Sequence, residues 1–230
     1  MKAEDVLNGK ILLIDKPLTW SSFQAVNKLK YSLKRKFNLP KKFKIGHAGT
    51  LDPLATGLLI VCTGKFTKKI TELMGMEKEY TGTITIGATT PSYDLETAID
   101  ATFSTAHITD QLILETAKQF LGEIEQFPPV FSAIKKDGKR LYEHGRAGET
   151  VEISARKVSI HEFEITKITL PEINFRVVCS KGTYIRSLAY DFGKALQSGG
   201  HLTALRRTKI GKYDVDNGVS PEEFEKQLEA

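Results

Sequence analysis

The pattern of the 230-residue sequence permits an α+β protein. Two observations point there. Thr81, Thr83 and Thr85 alternate with Gly82, Ile84 and Ile86, and Ile173, Phe175, Val177 and Cys179 repeat every second residue, the period of a half-buried strand. Elsewhere apolar residues recur at helical spacing, as in Ile185, Leu188, Ala189, Phe192 and Leu196. A chain of this length buries a real core, and the expectation is a single domain over residues 1–230.

Composition narrows the function classes. The hydrophobic fraction of 40% is ordinary for a globular protein. A net charge of +5 and a pI near 9.0 suggest an anionic partner. The two cysteines, Cys62 and Cys179, lie in apolar, strand-like runs and read as buried free thiols rather than a bridge or metal ligands. The first residues lack the apolar region of a signal peptide, and no apolar run approaches membrane-spanning length. The expected setting is cytoplasmic.

In chain order, residues 9–15 read as a short buried strand that ends in the turn Asp15-Lys16-Pro17. Ser21 or Ser22 caps a helix whose apolar face is Phe23, Val26, Leu29, Leu33 and Phe37. Its other face is basic (Lys28, Lys30, Lys34, Arg35, Lys36), and Lys41, Lys42 and Lys44 follow; such a run is a solvated face or a phosphate contact. Residues 65–74 suit a short helix ended by Gly75, and a strand opens at Lys78-Glu79-Tyr80. Residues 88–108 are polar and turn-rich. Thr109 or Asp110 caps the next helix, with Leu112, Ile113, Ala117, Phe120 and Leu121 inward. Residues 156–168 and 173–179 read as paired strands. Thr183 is a natural cap for the helix that follows, so Tyr184 and Arg186 flank inward-facing Ile185 in its first turn. Arginine is disfavoured at the positive end of a helix, and a carboxylate partner would offset that cost. Ser220-Pro221-Glu222-Glu223 opens a last helix with a capping box and proline at the first position.

One stretch carries the chemistry: Gly46-His47-Ala48-Gly49-Thr50-Leu51-Asp52-Pro53-Leu54-Ala55-Thr56-Gly57. Its glycines permit unusual backbone geometry or close approach, and Pro53 biases Asp52 towards an extended conformation. Asp52 therefore stands on a stiffened loop before an apolar run, as a catalytic group is presented, although a lone Asp-Pro also serves as a plain turn. No His or Cys stands near His47 at metal-ligand spacing. Gly64-Lys65 is not a phosphate-binding loop, because Leu59 occupies the required first glycine and Phe66 the required Ser or Thr.

The stretch is a specific match to Gly-His-x-Gly-x-Leu-Asp-Pro-x-Ala-x-Gly, and the chain resembles the TruB family of bacterial tRNA pseudouridine-55 synthases. Ser180-Lys181-Gly182-Thr183-Tyr184-Ile185-Arg186 is similar to a second family motif, and the likeness extends over about residues 9–225. The resemblance implies the pseudouridine synthase fold, a mixed, mainly antiparallel sheet flanked by helices, with the active-site cleft across the sheet. It implies that Asp52 is catalytic and pairs with Arg186. It implies that His47 supports the RNA beside the extruded base, that Tyr80 of a Lys-x-Tyr motif stacks on the uracil, and that Tyr184 lies beside the base. The resemblance of residues 205–207 to the family's Leu-Arg-Arg strand implies that Leu205 touches the substrate, while Arg206 and Arg207 are expected to add to the basic surface. Lys16, before Pro17, borders the site or is a solvated loop lysine. Phe127-Pro128-Pro129-Val130-Phe131-Ser132-Ala133-Ile134-Lys135 resembles a further family segment. Together with the basic residues of 135–142 it suggests an RNA-clamping insertion near 127–155, against the plainer alternative of a solvated hairpin. Thr89-Thr90-Pro91-Ser92-Tyr93-Asp94 departs from the family's Asp/Thr-rich segment. Too few residues follow for the family's C-terminal PUA domain, which is expected to be absent.

The implied partner is the T-arm of tRNA, met by a monomer without a membrane, metal or cofactor, because the reaction is an isomerisation. Two rivals stay open: a tRNA-binding or folding protein without chemistry, and a glycosidase, which ordinarily needs a second carboxylate that the motif does not supply.

Overall fold

A computed structural model of the chain describes residues 1–229 except 133, 137, 148 and 150. The parts of the expected clamp that fall on Ala133, on Asp137 and on the side chains of Lys135 and Lys136 lie outside what is described. The elements run α1 (Ala3–Asn8), β1 (Ile11–Lys16), α2 (Ser22–Phe37), β2 (Ile45–His47), β3 (Ala55–Thr63), a 3-10 turn (Gly64–Lys69), α3 (Ile70–Gly75), β4 (Lys78–Ile86), β5 (Ala88–Thr89) and β6 (Ala101–Thr102). They continue with α4 (Asp110–Lys118), β7 (Gly122–Gln126), β8 (Lys135–Lys136), β9 (Lys139–Arg140), α5 (Leu141–Arg146), β10 (Arg156–Thr169), β11 (Glu172–Cys179), α6 (Ile185–Ala195), β12 (Gly200–Ile210), β13 (Tyr213–Asp214) and α7 (Pro221–Glu229). The chain forms two compact units, residues 1–80 with 205–230, and residues 81–204; β4 and β12 each run from one into the other.

In the first unit β3 is the central strand. It pairs antiparallel with β1 from Ile11 opposite Cys62 to Lys16 opposite Gly57, and with β2 at Ile45–His47. It pairs parallel with β12 at Leu205, Arg206 and Arg207. The sheet is therefore mixed. Leu58, Ile60 and Cys62 face one apolar cluster and Leu59 and Val61 the other, so β3 is covered on both faces and reads as an unbroken apolar run. One cluster is roofed by α2 and α7. Ser21 caps α2 by accepting from Gln24 N at 3.1 Å. Glu225 of α7 takes Lys28 and Ser32 of α2 as partners. The apolar face of α2 is Ala25, Val26, Leu29 and Leu33, whereas Phe23 is 69% exposed. Phe23 falls roughly 110° round the helix from that face, outside the stripe its spacing suggested.

In the second unit β10 lies between β11 and β7, antiparallel to both, and β4 lies beside β11. Ile173, Phe175, Val177 and Cys179 are all buried, as their alternation predicts. Phe120, Phe163, Phe175 and Phe192 pack edge to face beneath α4 and α6. Thr109 caps α4, accepting from Leu112 N. Leu121, expected inward, is exposed because α4 stops at Lys118. Cys62 and Cys179 are free and buried.

Candidate active site

Asp52 begins a tight turn: its carbonyl accepts from Ala55 N at 3.1 Å, with Pro53 at the turn's second position. β2 and β3 hold the loop's two ends. Three further groups of the same unit pin its interior. Thr19 N donates to Pro53 O at 2.8 Å. Ser22 Oγ, in the first turn of α2, donates to Leu51 O at 3.0 Å and accepts from Leu51 N at 2.8 Å. From β12, Arg207 donates through Nε to Leu58 O at 2.8 Å, and through its two terminal nitrogens to Gly49 O at 3.0 Å and Thr50 O at 3.4 Å. Arg207 is 1% exposed. It is therefore no part of the basic surface: successive strand residues face opposite ways, which turns Arg207 inward while Arg206 makes a bidentate pair with Asp15.

Burial sets the electrostatics. Lys16 has no exposed surface, which removes the solvated-lysine alternative. Its Nζ donates to Pro17 O at 2.9 Å and Trp20 O at 2.6 Å. Burial lowers its pKa to about 8; Asp52 and Asp15 pull it back up, while Arg207 pushes it further down. His47 is held below the ordinary imidazole value, first by burial and then by the charge of Arg207, while the Gly49 backbone pulls it the other way. Its Nδ1 is buried and makes no hydrogen bond among the described residues. Leu205 stands opposite Ala55, three residues beyond Asp52. Tyr80, 8% exposed, is on β4 in the same unit.

The second unit holds Tyr184 and Arg186. Gln126, nearly fully buried, accepts from Tyr184 N at 2.7 Å and donates to Tyr184 O at 3.0 Å, fixing the residue that starts α6. The cap is Tyr184 rather than Thr183, because the Thr183 hydroxyl instead donates to Ser180 O at 2.9 Å. Arg186 donates to Ser92 O at 3.2 Å and Phe131 O at 2.8 Å, and its Nε lies 3.6 Å from a carboxylate oxygen of Asp94. Both charged side chains are buried. Asp94 belongs to a built turn: Thr90 and Ser92 hydroxyls donate to its carbonyl, its carboxylate accepts from Glu96 N, and Tyr93, at φ 62°, stacks on Tyr190. The departure at residues 89–94 thus supplies a buried carboxylate to Arg186. Asp94, Arg207, Ser22 and Gln126 were not read from the sequence as site residues. The one available signal was a Ser/Thr/Asp turn beside Pro91, which marks a turn but not what the turn faces. Among the described residues no cluster of His, Cys, Asp or Glu could hold a metal ion, and no helix is long and apolar enough to cross a membrane.

Two family models match the chain: TruB family pseudouridylate synthase (N terminal domain) over residues 34–185, and tRNA pseudouridylate synthase B C-terminal domain over residues 186–230. The chain is 74% identical over 229 residues to tRNA pseudouridine synthase B of Flavobacterium johnsoniae, with 100% of each covered. It is 56% identical over 225 residues to tRNA pseudouridine synthase B of Parabacteroides distasonis, covering 98% of this chain and 95% of that one. Among solved structures, a chain in the crystal structure of a Cbf5-Nop10-Gar1 complex is 29% identical with a TM-score of 0.70, covering 95% of this chain and 54% of that one. This chain therefore spans about half the length of that one. An α+β fold with a mixed sheet and these matches define a pseudouridylate synthase. The chain belongs to the TruB family.

Proposed function

We propose that this protein converts a uridine in the T-arm loop of tRNA, at position 55, to pseudouridine, with Asp52 as the catalytic carboxylate. The observation that carries the reading is full-length identity of 74% to a protein named tRNA pseudouridine synthase B, joined to a carboxylate loop pinned from three sides.

The reaction breaks the N1–C1′ bond, turns the uracil and forms a C5–C1′ bond. C5 loses a proton and N1 gains one, so atoms and electrons balance without a redox partner. A carboxylate is suited to add to the sugar or base, or to accept the proton. The uridine must first leave the stack, at a cost of about a few kcal/mol. Tyr80 supplies a stacking face, Tyr184 flanks the base, Leu205 contacts it, and His47 supports the RNA beside it. Arg186 serves as the counter-charge of Asp52, with Asp94 holding the guanidinium in place. Residues 127–155 clamp the arm through exposed Lys139 and Arg140.

Asp52→Asn keeps the size of the side chain and removes its charge. The variant is expected to bind unmodified tRNA, melt within a few degrees of wild type and form no pseudouridine. A folded Asn variant that turns over at the wild-type rate would exclude Asp52. Wild-type protein that releases free uracil is a glycosidase, and one that binds tRNA without changing it is a folding protein.

A further inference from the structure

The solvent face of α2 is a row of side chains one helical turn apart: Phe23, Asn27, Tyr31 and Arg35, all exposed. Phe23 is 69% exposed and Tyr31 64%. Phe23 and Tyr31 are large aromatics left in water on a helix whose other face is packed, and each of these four side chains ends in a planar group. The Arg35 guanidinium lies 5.9 Å from the centre of the Tyr31 ring. Lys30 and Lys34 flank the row, and α2 contains no acidic residue. The nearby carboxylates, Glu225 and Glu229 of α7, are ion-paired to Lys28 and Arg35, so they border the row on one side only. The row also starts at the candidate site: Ser22, which precedes Phe23, is bonded to Leu51 beside Asp52.

We propose that this face of α2 is a stacking track for unpaired nucleotides of the RNA, leading away from the Asp52 loop. Phe23 and Tyr31 are base platforms about 12 Å apart at 1.5 Å per residue, room for a few nucleotides. Asn27 between them hydrogen-bonds a base edge, and Lys30 and Lys34 take phosphates. The proposal rests on the RNA-directed reading above but requires no turnover. On the Lys30 and Lys34 edge no ion pair to a carboxylate is formed among the described residues, which favours a polyanion over a protein partner.

The test is binding of a single-stranded oligouridylate by fluorescence anisotropy at fixed salt, with melting curves for every variant. Phe23→Ala and Tyr31→Ala should each weaken binding about tenfold, in line with stacking on one base. Phe23→Leu/Tyr31→Leu, which keeps apolar bulk without a ring face, should lose as much as the double alanine variant, and Phe23→Trp/Tyr31→Trp should retain affinity. Leu114→Ala, at an exposed apolar residue of α4, is the control and should change nothing. Folded alanine variants that bind like wild type overturn the track. So does a loss confined to Lys30→Ala and Lys34→Ala, which would leave phosphate contact only. A wild-type dimer that the alanine variants abolish at unchanged RNA affinity assigns the face to a second copy and also overturns it. Wild-type protein that makes no pseudouridine would refute the proposed function while leaving this binding test readable.

Discussion

Lys16 is a buried lysine whose charge meets that of Asp52, and its protonation has a pH signature. Native Lys16 loses its proton near pH 8, whereas in the unfolded chain it holds it to about 10.5. Between those values the unfolded state binds more protons, so the contribution of Lys16 to stability rises with pH across that window. Lys16→Met cannot titrate. Melting curves of the two proteins should therefore diverge in favour of wild type as pH rises from 8 to 10.5. Parallel curves would mean that Lys16 is not held in a desolvated site. The same residue shows what was legible at this scale. Asp52, Lys16 and Arg186 could be named because each stands in a motif whose spacing carries meaning. Arg207 could not, because Arg206 and Arg207 are chemically alike in sequence and only the strand's alternation sends one to Asp15 and the other beneath Gly49. Asp94 was hidden for a related reason: its partner lies 92 residues along the chain.

Among the elements, β12 and β3 approach closely because residue 57 is a glycine. Gly57 has φ 103°, and a Cβ there would lie 2.2 Å from Arg207 O and 2.8 Å from Arg207 N. Gly57→Ala must push the parallel strand away and carry the Arg207 clamp with it. The expected cost is about 2–4 kcal/mol, from strain at positive φ added to a backbone clash. At about 2–4 °C per kcal/mol this is a fall in Tm of roughly 4–16 °C, with loss of turnover in the surviving folded fraction. An alanine variant that melts and turns over as wild type would show that the strands part without consequence. Element existence was widely legible, since β4, β10, β11, α6 and the capping box of α7 follow from period and caps alone. Facing was less so. Phe23 fits a helical count yet lies outside the buried face, and Thr183 is a sound cap whose hydroxyl is taken by Ser180. Both outcomes depend on tertiary neighbours that propensity does not encode.

For the molecule as a whole, the net charge of +5 comes from the first unit, where Lys and Arg outnumber Asp and Glu, notably on α2 and residues 41–44; the second unit is mildly acidic and carries Lys139 and Arg140 as a local basic pair. Charge and family motifs are what pointed to an RNA partner in the sequence, whereas the division into a cationic and a mildly acidic unit follows no single linear boundary, because the first unit joins residues 1–80 to 205–230. If the lysines contact phosphates, tRNA affinity must fall linearly on logarithmic axes as salt rises, because each contact releases about 0.9 condensed cation from duplex RNA treated like B-form DNA, or about 0.7 from a single strand. Replacing one contacting lysine should lower the slope by close to one unit and weaken binding to all RNA sequences alike. Lys34→Ala and Lys41→Ala in the first unit and Lys139→Ala in the second are the informative set. Titrations between about 50 and 200 mM salt resolve slopes of this size. A variant that loses affinity at unchanged slope would have lost packing rather than a phosphate contact, and a wild-type slope near zero would remove the electrostatic basis for RNA binding altogether.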